Sequence, residues 1–302
     1  MLFSVIHKTS YTYEGSVTYC HNVANLKPRS FPGQKLVNYR LEVTPKPSYL
    51  EEGLDFYGNT ITRFSIDMPH NELIVSAISQ VERNCDLEAS IFSSEIGKKT
   101  TVQEALEKIN KGSEEILNIF QFTLDSQFIT SISKEISAYA KQSLKPDVPV
   151  FEATKDLMER IYKDFTFDAE FSTIATPLDE VMSARKGVCQ DFAQIGIACL
   201  RSVGLPARYV SGYIETLPPP GKVKLVGTDA SHAWFSVYIP NFGWVDFDPT
   251  NNQIPKNQHI TVSYGRDYYD VPPLKGVLYG SGSSKMKVSV DIRPAKEASM
   301  LI

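Results

Sequence analysis

The hydrophobic period of this chain changes twice, and that constrains the fold more than any other feature. From residue 1 to about 84, apolar side chains fall at every second position, as in Tyr39, Leu41 and Val43, or Leu73, Val75, Ala77 and Val81. A period of two puts alternate side chains on one face of a strand. Turn chemistry separates these runs, in KPRSFPGQ at 27–34 and YGN at 57–59. Residues 1–84 are therefore expected to form a β-sandwich-like N-terminal domain.

After Cys85 the period lengthens. Thr101 and Glu104 have the spacing of a capping box ahead of an apolar-periodic stretch, and Ile116, Ile119 and Phe120 follow at helical intervals. Residues 85–148 read as a helical connecting region. A further helix is expected from about Pro149, with Ala153, Leu157 and Ile161 on one face. At 176–179, TPLD supplies a cap, a proline for the first helical position and an acid for the first turn, and Gly187 is suited to end that helix. Cys189 comes next and opens a half-buried helix carrying Phe192, Ile195, Cys199 and Val203, ended by Gly204 and Pro206.

Beyond it the period returns to two, through 207–214, 232–239, 243–247 and finally Met286, Val288, Val290 and Ile292. Helices followed by strands predict an α+β core over 149–302, with the C-terminal strands as part of it.

At 302 residues, 42% of them apolar and 22% charged, the chain has enough material to bury its own core. The 31 Lys and Arg against 35 Asp and Glu leave no basic surplus for phosphates, so nucleic acid is not an expected partner. No apolar run approaches a membrane span of about 18 residues, and the N-terminus lacks the pattern of a secretory signal, so no membrane partner and a cytoplasmic address are expected. Four cysteines without a CxxC pair, and five histidines never within four residues of one another, argue against zinc. No phosphate-binding glycine loop or EF-hand appears, and no cofactor is expected. Tyr13, Tyr39 and Tyr57 fit core or cross-strand positions better than a ligand platform.

A thiol is a weak nucleophile at neutral pH, and a helix N-terminus favours its ionised form. Cys189 has that position, whereas Cys199 lies mid-helix on the apolar stripe and belongs to the core. A nucleophilic thiol further requires an imidazole and a carboxylate to orient it. His232 and Asp248 lie symmetrically about Pro240 in a turn sequence, so a hairpin turning there would set them face to face, about 5 Å apart. Asp246 would then oppose Trp234, leaving Asp248 as the orienting group.

Three blocks carry a family resemblance: TPLDEVMSARKGVCQDFA at 176–193, DASHAWFSVY at 229–238 and GWVDFDPTN at 243–251. Together, in this order and spacing, they resemble the bacterial transglutaminase-like family. SYTYE at 10–14 and FYGN at 56–59 are similar to the β-rich N-terminal region that accompanies such cores, and GRDYYDVPPLKG at 265–276 to the segment that follows them. The resemblance implies a papain-like, transglutaminase-like core with Cys189 as nucleophile, His232 as acid and base, and Asp248 as orienter. Thiol-dependent acyl transfer on a peptide or protein substrate follows, either as a peptidase or amidase or as a protein-glutamine transamidase. A binding module on the same fold is the alternative from another class. The Cys189 backbone N–H is the expected oxyanion donor, with the Gln190 side chain as a second. Two stretches, 216–225 and 263–270, are candidates to line the cleft.

Overall fold

A computed structural model describes residues 1–86, 89–90, 93–216 and 230–295. The N-terminal strands are β1 (Leu2–Val17), β2 (Tyr19–Ala24), β3 (Gln34–Thr44), β4 (Tyr49–Leu54), β5 (Thr60–Ile66) and β6 (His70–Arg83). Helices follow: α1 (Glu95–Lys99), α2 (Val102–Lys111), α3 (Glu114–Phe120), α4 (Lys134–Ser143) and α5 (Val150–Asp164). A short strand β7 (Thr166–Phe167), helix α6 (Leu178–Ala184) and strand β8 (Lys186–Gly187) lead into α7 (Cys189–Ser202). The remaining strands are β9 (Ala207–Ile214), β10 (Ala230–Ile239), β11 (Gly243–Phe247), β12 (His259–Gly265), β13 (Leu274–Tyr279) and β14 (Ser284–Pro294).

The alternation in the first 84 residues builds two four-stranded sheets, β14-β1-β6-β3 and β13-β2-β5-β4. Their facing sides enclose Tyr13, Val17, Phe64, Ile66, Leu73 and Val75. The C-terminal strands, expected to extend the 149–302 core, instead complete these two sheets. β14 pairs antiparallel with β1, Val5 opposite Ile292, and β13 pairs with β2, Val23 opposite Lys275. Two sheets that would otherwise end at β1 and β2 gain an edge partner there, which satisfies backbone groups a local pattern cannot account for.

The tyrosines take structural positions. Tyr13 is buried in the sandwich beside Tyr11, and the Tyr57 hydroxyl donates to Asp270 Oδ2 at 2.7 Å and accepts from Arg266 Nε at 2.9 Å.

In the helical region, Thr101 and Glu104 make the expected capping box. Glu104 N–H donates to Thr101 Oγ1 at 3.2 Å, and Thr101 N–H donates to Glu104 Oε2 at 2.9 Å. No helix among the described residues is long and apolar enough to cross a membrane.

The second core lies between α7 and a sheet of order β11-β10-β9-β12. Ala193, Ile197 and Cys199 of α7 are fully buried with Phe235, Val237 and Phe247 of that sheet, and Cys199 is indeed core. Closeness is set by Gly196, where a Cβ would come within 2.5 Å of the Phe235 ring. A third cluster joins the units, with Phe3, Val5, Val290 and Ile292 of the sandwich against Tyr213, Ile260 and Val262 of the second sheet.

Because the Phe235 ring is itself stacked on Phe247 at 5.9 Å, it has little room to yield. Gly196→Ala should therefore lower stability by about 1–3 kcal/mol through overpacking, despite alanine's better helix propensity, as measured by urea denaturation. An unchanged or raised midpoint would show that the helix can lift without cost.

Candidate active site

The site is assembled where α7 begins against the end of β10. Helix α6 stops at Arg185, which takes the left-handed conformation (φ 55°, ψ 37°), two residues before the expected Gly187 stop. Its guanidinium lies over the Tyr139 and Phe165 rings, at 4.7 and 4.9 Å, a stacking that only a long planar cation provides at this turn. Gly187 serves a different purpose. It sits in β8, parallel to β7, where a Cβ would fall 2.6 Å from Asp191 Oδ2 and 2.8 Å from Asp191 Cβ. The space lets Asp191, the third residue of α7, fold back so that Oδ2 accepts the Val188 N–H at 2.8 Å and the Ser172 hydroxyl. Valine cannot cap a helix through its side chain, so Asp191 satisfies one exposed donor of this terminus. Burial raises the Asp191 pKa, an effect these two hydrogen bonds oppose.

Cys189 is thus the first residue of α7, half-buried, with its own N–H unused by the helix. It opens on a cleft of about 160 Å³ walled by Gln190, Tyr209, Ser211, His232 and Tyr268. Tyr268 comes from the expected 263–270 turn. Of the other stretch, residues 217–225 lie outside the described residues.

His232, 6% exposed, is the third residue of β10. Its Nε2 is 2.8 Å from Asp248 Oδ2, and Cys189 lines the same cleft and acts on the ring, so Nδ1 is the ring nitrogen left for the sulfur. Sequence symmetry about Pro240 placed the hairpin turn one residue early. The observed pairs are Phe235 with Phe247, Ser236 with Asp246 and Ile239 with Gly243, so the turn centres on Asn241, which has φ 67°. Asp246 therefore opposes Ser236, not Trp234, and Asp248 is a diagonal neighbour of His232 just past the end of β11. A shift of two residues preserves the face, which is why the pairing survives.

Asp248 is completely buried and accepts five hydrogen bonds. Oδ2 takes His232 Nε2 at 2.8 Å, His259 Nε2 at 2.9 Å and Asn251 Nδ2 at 2.8 Å, while Oδ1 takes the backbone N–H groups of Thr250 at 3.0 Å and Asn251 at 3.2 Å. Burial would raise its pKa, but the His232 charge and the histidine hydrogen bonds outweigh it and hold the carboxyl ionised. For His232 burial works downward, yet the Asp248 carboxylate and the Cys189 sulfur push its pKa well above 6.5.

His259, which the sequence reading passed over, opens β12 and is 1% exposed. Burial lowers its pKa against the pull of Asp248, so it is neutral, with the proton assigned to Nε2 by its bond to the carboxylate. The Trp234 ring meets it edge-on at 5.2 Å. His232, Asp248 and His259 offer ligand atoms within 4.8 Å of one another, a cluster that could hold a metal ion by spacing alone. Separations of 2.8 and 2.9 Å are those of direct N–H···O bonds, and they engage the lone pairs that a metal would need. Asn251 had one available signal, its position three residues after Asp248 in DPTN. His259 had none.

Comparison with known proteins gives the same architecture. Residues 3–82 match the bacterial transglutaminase-like N-terminal region and residues 137–249 the transglutaminase-like superfamily. An uncharacterized protein of Mycobacterium tuberculosis is 40% identical over 297 residues, covering 97% of this chain and 92% of that protein. The chain belongs to the bacterial transglutaminase-like family. An uncharacterized Mycobacterium leprae protein is 34% identical over 295 residues, with 95% and 97% covered. A crystal structure of a candidate cysteine protease from Cytophaga hutchinsonii superposes with a TM-score of 0.74 at 21% identity, over 97% of this chain and 91% of that one, and so shares the fold. Over 79 residues, 26% of this chain and 12% of the other, the family member is 37% identical to a protein-glutamine gamma-glutamyltransferase of Pseudomonas aeruginosa.

The His232 environment makes a sign prediction. Its ring resonances should titrate above 6.5 in the wild type, and at a clearly lower pH in Asp248→Asn, where only the Cys189 sulfur is left to oppose burial; a proton NMR titration reads both. Because the folded value exceeds the unfolded one, protonated His232 stabilises the fold fully below 6.5, and that contribution is lost as pH rises through the folded value. A wild-type His232 titrating at or below 6.5 would show that the carboxylate does not dominate.

Proposed function

We propose that this protein is a thiol-dependent acyl-transfer enzyme, a cysteine peptidase or amidase acting on peptide or isopeptide bonds of a peptide or protein substrate. The observation that carries this reading is the continuous line from Cys189 at a helix N-terminus through His232 to the buried Asp248. Cys189 Sγ adds to the acyl carbonyl carbon, and the thiol proton is held on His232 Nδ1. The oxyanion so formed accepts the Cys189 N–H, with the Gln190 side chain at the cleft wall as second donor. Collapse of this intermediate expels the amine, which takes the proton from His232, and leaves an acyl thioester on Cys189. Asp248 stays ionised throughout and holds the ring in orientation.

A second nucleophile then attacks the thioester, giving its proton to His232 as Sγ departs. Water is the simpler acceptor, because Cys189 is only half-buried and solvent reaches it. Transamidation, with an amine as acceptor, is the second reading, and the 79-residue likeness to a gamma-glutamyltransferase favours keeping it. An amine-incorporation assay beside a hydrolysis assay separates the two.

The first test needs no substrate. With iodoacetamide and peptide mass spectrometry, Cys189 should alkylate fastest of the four thiols, and His232→Ala should slow it roughly tenfold or more. If Cys189 reacts no faster than half-buried Cys85, and His232→Ala leaves its rate unchanged, the catalytic reading loses its foundation.

A further inference from the structure

The sheet that carries His232 has a second cavity, of about 430 Å³, between the face on which His232 lies and the N-terminal unit. It shares no lining residue with the Cys189 cleft. Three guanidinium groups line it: Arg208 from β9, Arg29 from the segment after β2 and Arg83 from the end of β6. Asp246 is the single carboxylate among its lining residues, and it is already engaged by Trp234 Nε1 at 3.0 Å and by the Ser236 hydroxyl. Two positive charges are left without a counterion in the lining.

None of the three arginines is ion-paired with a carboxylate among the described residues. Arg83 is 2% exposed; its Nη atoms donate to the carbonyls of Gly33 at 3.1 Å and Lys256 at 3.3 Å, and its Nε is buried with no partner. The Arg208 Nε is likewise buried and unpartnered, while its guanidinium is held between the rings of Tyr264 at 3.8 Å and Trp244 at 4.3 Å. Arg29 also lies over the Tyr264 ring, at 4.2 Å, and donates to Asn59 Oδ1 at 2.7 Å, the Tyr57 carbonyl at 3.3 Å and the Tyr264 hydroxyl at 3.0 Å.

Rings hold these cations in place, and Arg208 and Arg83 are also hydrogen-bonded to the Tyr264 hydroxyl and the Cys85 thiol, but neither a ring quadrupole nor these neutral groups cancel the charge. The Asp246 carboxylate acts on both Arg83 and Arg208 but offsets one charge of three, so an anion entering here would offset the remaining positive charge. Burial depresses both arginines, Arg208 to about 10, against the opposing pull of the Asp246 carboxylate, and Arg29 adds to the depression of Arg208 by repulsion. The volume falls within the range of small-molecule sites, and the aromatic walls suit an apolar body behind the charged group.

We propose that this cavity binds a small anion, a carboxylate or phosphate group carried on a flat apolar body, with Arg208 and Arg83 as its principal donors. The site is separate from the acyl-transfer chemistry and stands whether or not Cys189 is catalytic.

Cys85 lines the cavity and reports on its occupancy. We would measure, on the full chain, the rate of Cys85 alkylation and the Tm in the presence of benzoate, phenyl phosphate, inorganic phosphate and benzamide, the last a neutral analogue of benzoate. Benzoate or phenyl phosphate is expected to slow Cys85 alkylation saturably and raise Tm below about 10 mM, with inorganic phosphate weaker and benzamide without effect. Arg208→Gln should weaken protection about tenfold or more, and Arg29→Gln, outside the sheet, provides a second variant of the same charge cluster. Protection by benzamide equal to that by benzoate, phenyl anions no better than inorganic phosphate, or no saturable protection by any anion would each overturn the proposal, and none of these depends on a variant folding.

Discussion

A carboxylate removed completely from water governs the architecture around the candidate site. Taking one such ion out of water costs several kcal/mol even after relaxation, and the cost is offset only if its lone pairs are occupied and opposite charge is near. Asp248 meets both conditions with groups from three chain segments: His232 on β10, the turn of Thr250 and Asn251 directly after Asp248 itself, and His259 at the start of β12. The turn at 249–253 closes through the bridge between Asp248 and Gln253 and brings β12 back beside β9. Removing one donor leaves the remaining ones to hold an ion still out of solvent, so the ring orientation of His232 and the return of the chain are aspects of one energetic requirement.

The position of Cys189 has a different origin. Nothing in its immediate sequence fixes its distance from His232; that distance is set by how closely α7 approaches the sheet. Gly196 allows the Phe235 ring to touch the helix axis, and at the helix start Gly187 makes room for Asp191 to turn back on Val188. Two missing Cβ atoms, nine residues apart, thus locate the first turn of α7 against the end of β10. The helix terminus contributes unpaired N–H groups at the point where the sulfur meets the imidazole, so packing and electrostatics are delivered by the same contact.

Much of this was legible because it is local. The capping box of Thr101 and Glu104, the burial of Cys199 and the start of α7 at Cys189 each follow from spacing within a dozen residues. The hairpin was legible in part: symmetry about Pro240 gave the correct face but a register two residues off, because the turn needed a residue tolerant of positive φ and Asn241 supplied it. Arg185 ended α6 where glycine was expected, since stacking on Tyr139 and Phe165 compensates a left-handed backbone. His259 was beyond reach, as its role depends on the length of a turn and on a strand partner, neither of which leaves a mark at position 259.

The return of β13 and β14 to the N-terminal sheets is the extreme case, because the pairing of Val5 with Ile292 spans almost the whole chain and has no local signature. Its consequence is topological. The second sheet lies between two chain segments that belong to the same sandwich, and Phe3, Val5, Val290 and Ile292 press on it together. Gln34 reinforces the joint from the N-terminal side, its Nε2 donating to the Thr261 carbonyl at 2.7 Å and its Oε1 accepting the Thr261 N–H at 2.9 Å. A sandwich closed by strands from both ends of the chain cannot swing on a single linker, since each end anchors it on the same side of β12. The arginine-lined cavity lies within this joint, so its walls are held by the contacts that fix the sandwich to the sheet.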